Sequence, residues 1–446
     1  MRRTQFDAMV ALFVAYGAFY LCRANVEAAM PALIREGYGD KTRLGTLSSV
    51  ATLAYSVGKV VLGAWGDRLG GRRLMLIAVA GSVVCSFGFG LSGTLVVLGF
   101  FAAANRFFQS GGWPGLVHVV SRRFEARRHG RVMGVLSMSY ELGNACALLL
   151  SGLVARWGWR ALFVVNPALF ALVGGGAVLS LRRTPADGDA PDTRTPPPAG
   201  SRDIGRSDHH PANEGARARE GAADAGGRAE RARVLAGLLR SGALWTTVAL
   251  SALLTFIRVG FLTWTPTYLA EVSRAAGNAD ISSSIIKSAV FPAAGAVAVL
   301  STGPLSDRFG AGRRAPIIAL SLGVVVVLVE LLAHTRALPP AWLIGAIGLF
   351  LLGPYSLLAG AMALDVGGAR GSATAAGIID GAGYLSGTAA PFLLGYVADR
   401  AGWAAAFDVV GCAALLATAI ASAWSLSLAR RGRAPSPAPA VGGGDP

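Results

Sequence analysis

Gly63-Ala64-Trp65-Gly66-Asp67-Arg68-Leu69-Gly70-Gly71-Arg72-Arg73 is the stretch on which the organisation of the chain turns. Glycines, one acid and a basic cluster are gathered between two apolar segments, 44–66 and 74–93. Each segment has the roughly 20 residues that a membrane-crossing helix needs. The core of the pattern returns as Gly303-x-x-x-Asp307-Arg308, an offset of 240 residues. Three more pairs keep nearly the same shift. Arg23 is followed eight residues later by Pro31, as Arg258 is by Pro266, an offset of 235; Pro114 answers Pro354 at 240, and Gly158-Trp159 answers Gly402-Trp403 at 244. A nearly constant offset means that the two halves are copies running in the same direction.

Apolar segments extend outward from this loop at 6–31, 44–66, 74–93, 95–121, 131–155 and 159–181, and again at 243–269, 281–305, 315–334, 341–365, 373–397 and 403–429. The pattern predicts an all-α polytopic membrane protein with twelve transmembrane helices in two pseudo-symmetric six-helix halves, 1–181 and 234–430. Between them, 182–233 holds ten Arg, nine Asp/Glu and Thr195-Pro196-Pro197-Pro198 with almost no large apolar residue. Such a composition cannot build a core and predicts a flexible linker. Residues 431–446 read as a disordered tail.

Composition agrees with a membrane protein. Of the 446 residues, 53% are apolar and 15% charged, against about 25% charged in soluble domains. This excludes a secreted disulfide scaffold, a nucleic-acid binder and a single-anchored enzyme. The net charge of +16 does not point to nucleic acid, because the Arg clusters fall in alternate loops. By the positive-inside rule those loops, the linker and both termini are cytoplasmic, which predicts a multi-pass protein of the cell inner membrane. Lysine is rare: Lys41, Lys59 and Lys287 stand among 38 Arg. Cys22, Cys85, Cys146 and Cys412 all lie in apolar segments and read as small buried hydrophobes. The first apolar segment is too long for a cleavable signal peptide.

The Gly63 to Arg73 loop and its second copy look like the signature loop of the major facilitator superfamily, whose plan is two parallel six-helix halves around a mid-membrane substrate site. Tyr16-Gly17-Ala18-Phe19-Tyr20-Leu21-Cys22-Arg23-Ala24-Asn25, Phe108-Gln109-Ser110-Gly111-Gly112-Trp113-Pro114, Arg258 to Leu269 and Gly353-Pro354-Tyr355 resemble the organophosphate:phosphate antiporter family within it. Ile378-Ile379-Asp380-Gly381 is similar to the eukaryotic sugar-phosphate exchangers. The resemblance implies exchange of glycerol 3-phosphate or a sugar phosphate for inorganic phosphate, with Arg23 and Arg258 as phosphate ligands and Lys59 as a third cation. It also implies that Tyr16, Tyr20, Gln109, Trp113 and Tyr384 occupy aromatic and polar cavity positions. Bacterial family members carry a His in the fifth span; here Tyr140 stands in its place, followed by Glu141.

The residues alone argue in the same direction. Arg in an apolar span costs on the order of 2.5 to 3.5 kcal/mol and usually faces a partner or a watery cavity. Arg23 and Arg258 are repeat counterparts, so they are expected to face each other between the halves. Two converging guanidinium groups suit a phosphate dianion, whose oxygens match their bidentate geometry. For Arg23 an ion pair with Glu27, one turn along, is the other reading. Lys59 sits several residues inside its span, whereas Lys287 is placed to snorkel. Asp380 and Glu141 either pair with a base such as Arg106 or carry a proton. In the repeated loop, Gly63, Asp67, Arg68, Gly303, Asp307 and Arg308 are expected to form interhelical contacts that latch one conformation.

No catalytic set, Walker loop or metal-ligand cluster stands out, so neither enzyme activity nor a metal or cofactor is expected. The expected partners are a small phosphate ester, inorganic phosphate and the lipid bilayer, for a monomer that binds no nucleic acid. Two other readings stay open: a proton-coupled transporter of another organic anion, such as a carboxylate or phosphonate, and a transporter-like organophosphate sensor.

Overall fold

Helix ends in the computed structural model follow the polar punctuation of the sequence. It describes residues 3–125, 129–181, 233, 235–309, 314–358 and 362–432. The expected linker, apart from Arg233, and the end of the expected tail lie outside the described residues. The first crossing is α1 (Arg3–Arg23) continued by α2 (Asn25–Arg35). Asp40 accepts the backbone N–H of Arg43 and so starts α3 (Lys41–Leu69), and Thr94 accepts that of Val97 to start α5 (Leu95–Gln109). Such N-caps satisfy donors that the first turn leaves open. Between them runs α4 (Gly71–Leu91); α6 (Gly112–Arg123), α7 (His129–Val154), α8 (Trp159–Leu169) and α9 (Gly176–Ser180) follow. A π-helical turn over Phe170–Gly175 joins the last two.

The second half repeats the pattern with α10 (Gly242–Ala275), α11 (Ile281–Ser288), α12 (Val290–Phe309), α13 (Arg314–His334), α14 (Pro340–Leu357), α15 (Ala363–Gly387) and α16 (Ala389–Gly432). No strand occurs among the described residues. Ten helical stretches are long and apolar enough to cross a membrane. The count differs from the expected twelve because the 57-residue stretch Thr374–Arg430 runs through a kink at Gly402, and because Leu95–Arg123, interrupted at Ser110-Gly111, is not among the ten. At about 1.5 Å per residue the long stretch far exceeds a single crossing of about 30 Å. Gly402 has φ 83° and Gly158, its repeat counterpart, φ 95°. Both adopt a backbone that side chains with a Cβ avoid, and both turn the chain before the aromatic Trp403 or Trp159.

The outer surface is apolar: Leu91, Val96, Trp342, Val60, Leu172 and Leu320 are largely exposed. Inside, polar groups find partners across helices. Asn166 donates to Asn25 Oδ1 at 2.6 Å and to Ser151 Oγ at 2.9 Å, and Asn25 donates to the carbonyl of Leu162 at 3.2 Å. An apolar exterior around a hydrogen-bonded interior is the arrangement lipid requires. Two cysteines depart from expectation. Cys22 and Cys85 are buried, but Cys146 and Cys412 are exposed on the helix surfaces, because each lies on the outward stripe of its span.

The halves meet along α3 with α16 and along α7 with α11 and α12, while within the first half α1 packs on α7. A Cβ on Gly143 would collide with the backbone of Gly17, so α1 and α7 cross nearly backbone to backbone. That crossing brings Tyr16, Tyr20 and Arg23 alongside Tyr140 and Glu141. On the face opposite the termini, Lys41 Nζ reaches Glu271 Oε1 at 3.0 Å and Asp399 Oδ1 at 3.7 Å. Asp399 Oδ2 also accepts from the backbone N–H and hydroxyl of Thr42, both at 2.6 Å. Trp403 Nε1 donates to Glu271 at 2.7 Å. These contacts close that face.

Candidate functional site

Below this closure lies a cavity of about 560 Å³ between the two sets of helices. Tyr16, Tyr20, Lys59, Trp113, Tyr140, Arg258, Asp380 and Tyr384 line it. Val117, Met133, Ser137 and Leu358 line its other end, toward the face that carries the termini. A recess of about 60 Å³ adjoins it, where Arg23 joins Tyr20, Arg258 and Tyr384. The two arginines therefore open on one shared space.

Arg23 is held by neutral groups. Its Nε donates to Gln109 Oε1 at 3.0 Å and its Nη1 to the Tyr20 hydroxyl at 3.2 Å. The guanidinium lies 4.3 Å from the Tyr55 ring centroid, a cation–π distance. Gln109 lines neither space. Its Nε2 donates to Asn105 Oδ1 at 2.6 Å, and Asn105 in turn donates to the Ser82 carbonyl at 2.9 Å and Ser86 Oγ at 2.8 Å. This run of amides leaves the carbonyl oxygen of Gln109 facing Arg23.

The acids are arranged differently from expectation. Glu27 does not pair with Arg23; it takes Arg106, whose Nη2 also donates to the Arg23 carbonyl at 3.3 Å. Arg106 comes from α5 and reaches Glu27 on α2, a contact between helices that one-turn spacing along a single helix cannot reveal. Asp380 and Glu141 do not pair with Arg106 either. Asp380 Oδ2 lies 2.5 Å from Lys59 Nζ, joining α3 to α15 across the halves. Glu141 Oε1 lies 3.2 Å from Arg258 Nη2, joining α7 to α10. The one acid of α10, Glu271, is engaged by Lys41 near the far end of the helix, so the partner of Arg258 comes from the other half.

Arg258 and Glu141 form the most buried of these pairs, with side chains 6% and 0% exposed. Arg258 Nε and Glu141 Oε2 have no hydrogen-bond partner. The Arg258 guanidinium also lies 5.0 Å from the Tyr355 ring and 5.7 Å from that of Tyr140. Lys59 sits 4.0 Å from the Tyr384 ring. Tyr16 packs on Trp113 with ring centroids 5.0 Å apart.

Tyr55, Tyr355 and Asn144 are wall residues that the sequence reading did not select. For Tyr55 a signal existed, since it precedes Lys59 by one helical turn and shares its face. Asn144 likewise follows Tyr140 by one turn. Lys287 is exposed, as snorkelling requires. Of the latch residues, Gly63 lies within α3 and Arg68 is exposed. The side chains of Asp67, Asp307 and Arg308, and the surroundings of Gly303, lie outside what is described.

Residues 12–388 match the Major Facilitator Superfamily. The chain belongs to the Major Facilitator Superfamily. In this superfamily substrate sites lie between the repeats near the bilayer midplane, and this cavity is lined by residues of both halves. The chain is 27% identical over 423 residues to a probable hexose phosphate transport protein of Chlamydia pneumoniae, covering 93% of this chain and 90% of the relative. It is 25% identical over 426 residues to a glycerol-3-phosphate transporter of Bacillus subtilis, covering 93% and 91%. Among solved structures, a bacterial homolog of the human lysosomal transporter Spinster, inward-facing and unoccupied, superposes with a TM-score of 0.76 at 15% identity, over 98% of this chain and all of that one. That similarity concerns the superfamily fold alone.

Proposed function

We propose that the chain is a secondary transporter that exchanges a phosphate ester, glycerol 3-phosphate or a sugar phosphate, for inorganic phosphate by alternating access. The observation that carries this reading is the convergence of Arg23 and Arg258 on one recess, with the buried Nε–H of Arg258 lacking an acceptor. A buried donor without a partner is costly. A phosphate dianion supplies acceptors for it and for the fork of Arg23. Lys59 stands on the adjoining wall, and the hydroxyls of Tyr20, Tyr55, Tyr140 and Tyr384 suit the phosphate oxygens and the hydroxyls of the organic part. The names of the relatives support the same substrate class.

In this reading the two six-helix halves, 1–181 and 234–430, rock about the site. The Lys41, Glu271 and Asp399 contacts part when the opposite face closes, and the repeated Gly/Asp/Arg loops latch that closure. The protein works as a monomer in the inner membrane with linker 182–233, tail 431–446 and both termini in the cytoplasm. It uses no cofactor and makes no covalent change in its cargo.

Reconstituted vesicles loaded with phosphate test it. Labelled glycerol 3-phosphate or glucose 6-phosphate is expected to enter only when phosphate is inside, and uptake is expected to survive a protonophore. Entry that ignores internal phosphate and collapses with the proton gradient contradicts exchange.

A further inference from the structure

The Glu141 carboxylate sits where an anion must land. It is wholly buried, Oε1 accepts a hydrogen bond from Arg258 Nη2, and Oε2 has no partner. A guanidinium grips two oxygens through Nε with Nη2 or through Nη1 with Nη2, and Nη2 belongs to both edges. A phosphate held by either edge of Arg258 therefore lies beside Glu141. Like charges that share one nitrogen in a dry site repel strongly. A carboxylate robbed of its partner there is an uncompensated buried charge.

The other two acids escape this conflict. Glu27 keeps Arg106, and Asp380 keeps Lys59 and is 35% exposed toward the cavity. Among the described residues, no cation other than Arg258 stands within ion-pair distance of Glu141. Arg258 of α10 faces it directly, Tyr140 is its chain neighbour, and Tyr355 of α14 and Tyr20 of α1 line the space around Arg258. On the other helices against α7, Glu27 of α2 is engaged by Arg106, Lys287 of α11 is exposed and His118 of α6 is half-buried. Among the described residues, four cations (Arg23, Lys59, Arg106, Arg258) and three carboxylates (Glu27, Glu141, Asp380) sit on or behind the walls. One net positive charge results. A phosphate-ester dianion turns it to one negative, and a single proton restores neutrality.

We infer that Glu141 is a proton-binding site coupled to the anion: it takes up one proton when a phosphate dianion engages Arg258 and returns it when the anion leaves. This coupling rests on the cavity being a phosphate-ester site. In exchange, each anion travels with its proton in both directions, so exchange moves no net proton and tolerates a protonophore.

The test is calorimetric titration of the purified full-length protein with glycerol 3-phosphate at about pH 8, where the ester, with a second ionisation near 6, is already a dianion. Buffers of different ionisation enthalpy count the protons. Wild type is expected to take up about one proton per ligand, with Kd rising ~10-fold per pH unit. Glu141→Gln is expected to bind ~10-fold more tightly and to take up none. Binding by wild type without proton uptake overturns the coupling and leaves the ester site standing. Undiminished uptake by Glu141→Gln assigns the proton elsewhere and also overturns it. Should Glu141→Gln fail to fold, the wild-type proton count and pH slope decide alone. Failure of wild type to bind the ester removes the site and the coupling together.

Discussion

Arg23 and Arg258 occupy equivalent places in the two copies of the repeat, yet their surroundings differ. Arg23 is fixed by an amide oxygen, a phenol and a ring face, and no carboxylate lies within ion-pair distance of it among the described residues. Arg258 is neutralised by a carboxylate that reaches across from the other half. Neutral partners aim a charge without cancelling it, so Arg23 is ready for an anion at all times. An acid partner cancels the charge, so Arg258 becomes available only when Glu141 gives way. One copy of the repeat supplies the standing half of the clamp and the other the conditional half.

The largest effect that separates the two is on stability. Arg258→Ala strands Glu141 and is expected to cost about 3 to 5 kcal/mol, seen as a lowered thermal midpoint in detergent, with much of the loss recovered in the Arg258→Ala/Glu141→Ala double variant. Arg23→Ala strands no carboxylate and is expected to lose less than half as much. Equal losses break the contrast. Next comes transport: Arg23→Lys and Arg258→Lys should each insert in the membrane but lose ~10- to 100-fold in phosphate-driven uptake, the worth of one charge-assisted hydrogen bond. The smallest effect sharpens the contrast. Gln109→Leu removes the acceptor that aims Arg23 Nε and should weaken ester binding ~2- to 10-fold, while the pH dependence set at Arg258 stays as in wild type. A Gln109→Leu protein with altered pH dependence would mean that the two arginines are not independently held.

What could be read from the sequence follows physical range. Gly158 and Gly402 were legible as repeat partners because a left-handed backbone demands the same residue in both copies. The intramembrane arginines were legible because charge in lipid is expensive wherever it occurs. The pairing of the acids was not. Lys59 and Asp380 are separated by 321 residues and Arg258 and Glu141 by 117, and one-turn spacing pointed instead to Arg23 with Glu27. Helical periodicity reports neighbours along one helix, whereas partner choice between helices depends on how the halves dock. Tyr55 lay within reach of that periodicity, one turn from Lys59, and Asn105 did not, since its role is to orient Gln109 behind the wall.

The central claim, that two arginines from opposite halves clamp one phosphate group, is tested most directly by uptake of labelled glycerol 3-phosphate into phosphate-loaded vesicles containing the Arg23→Lys/Arg258→Lys double variant. Insertion comparable to wild type with uptake at the level of empty vesicles is the predicted result; near-normal exchange by the double variant would contradict the clamp.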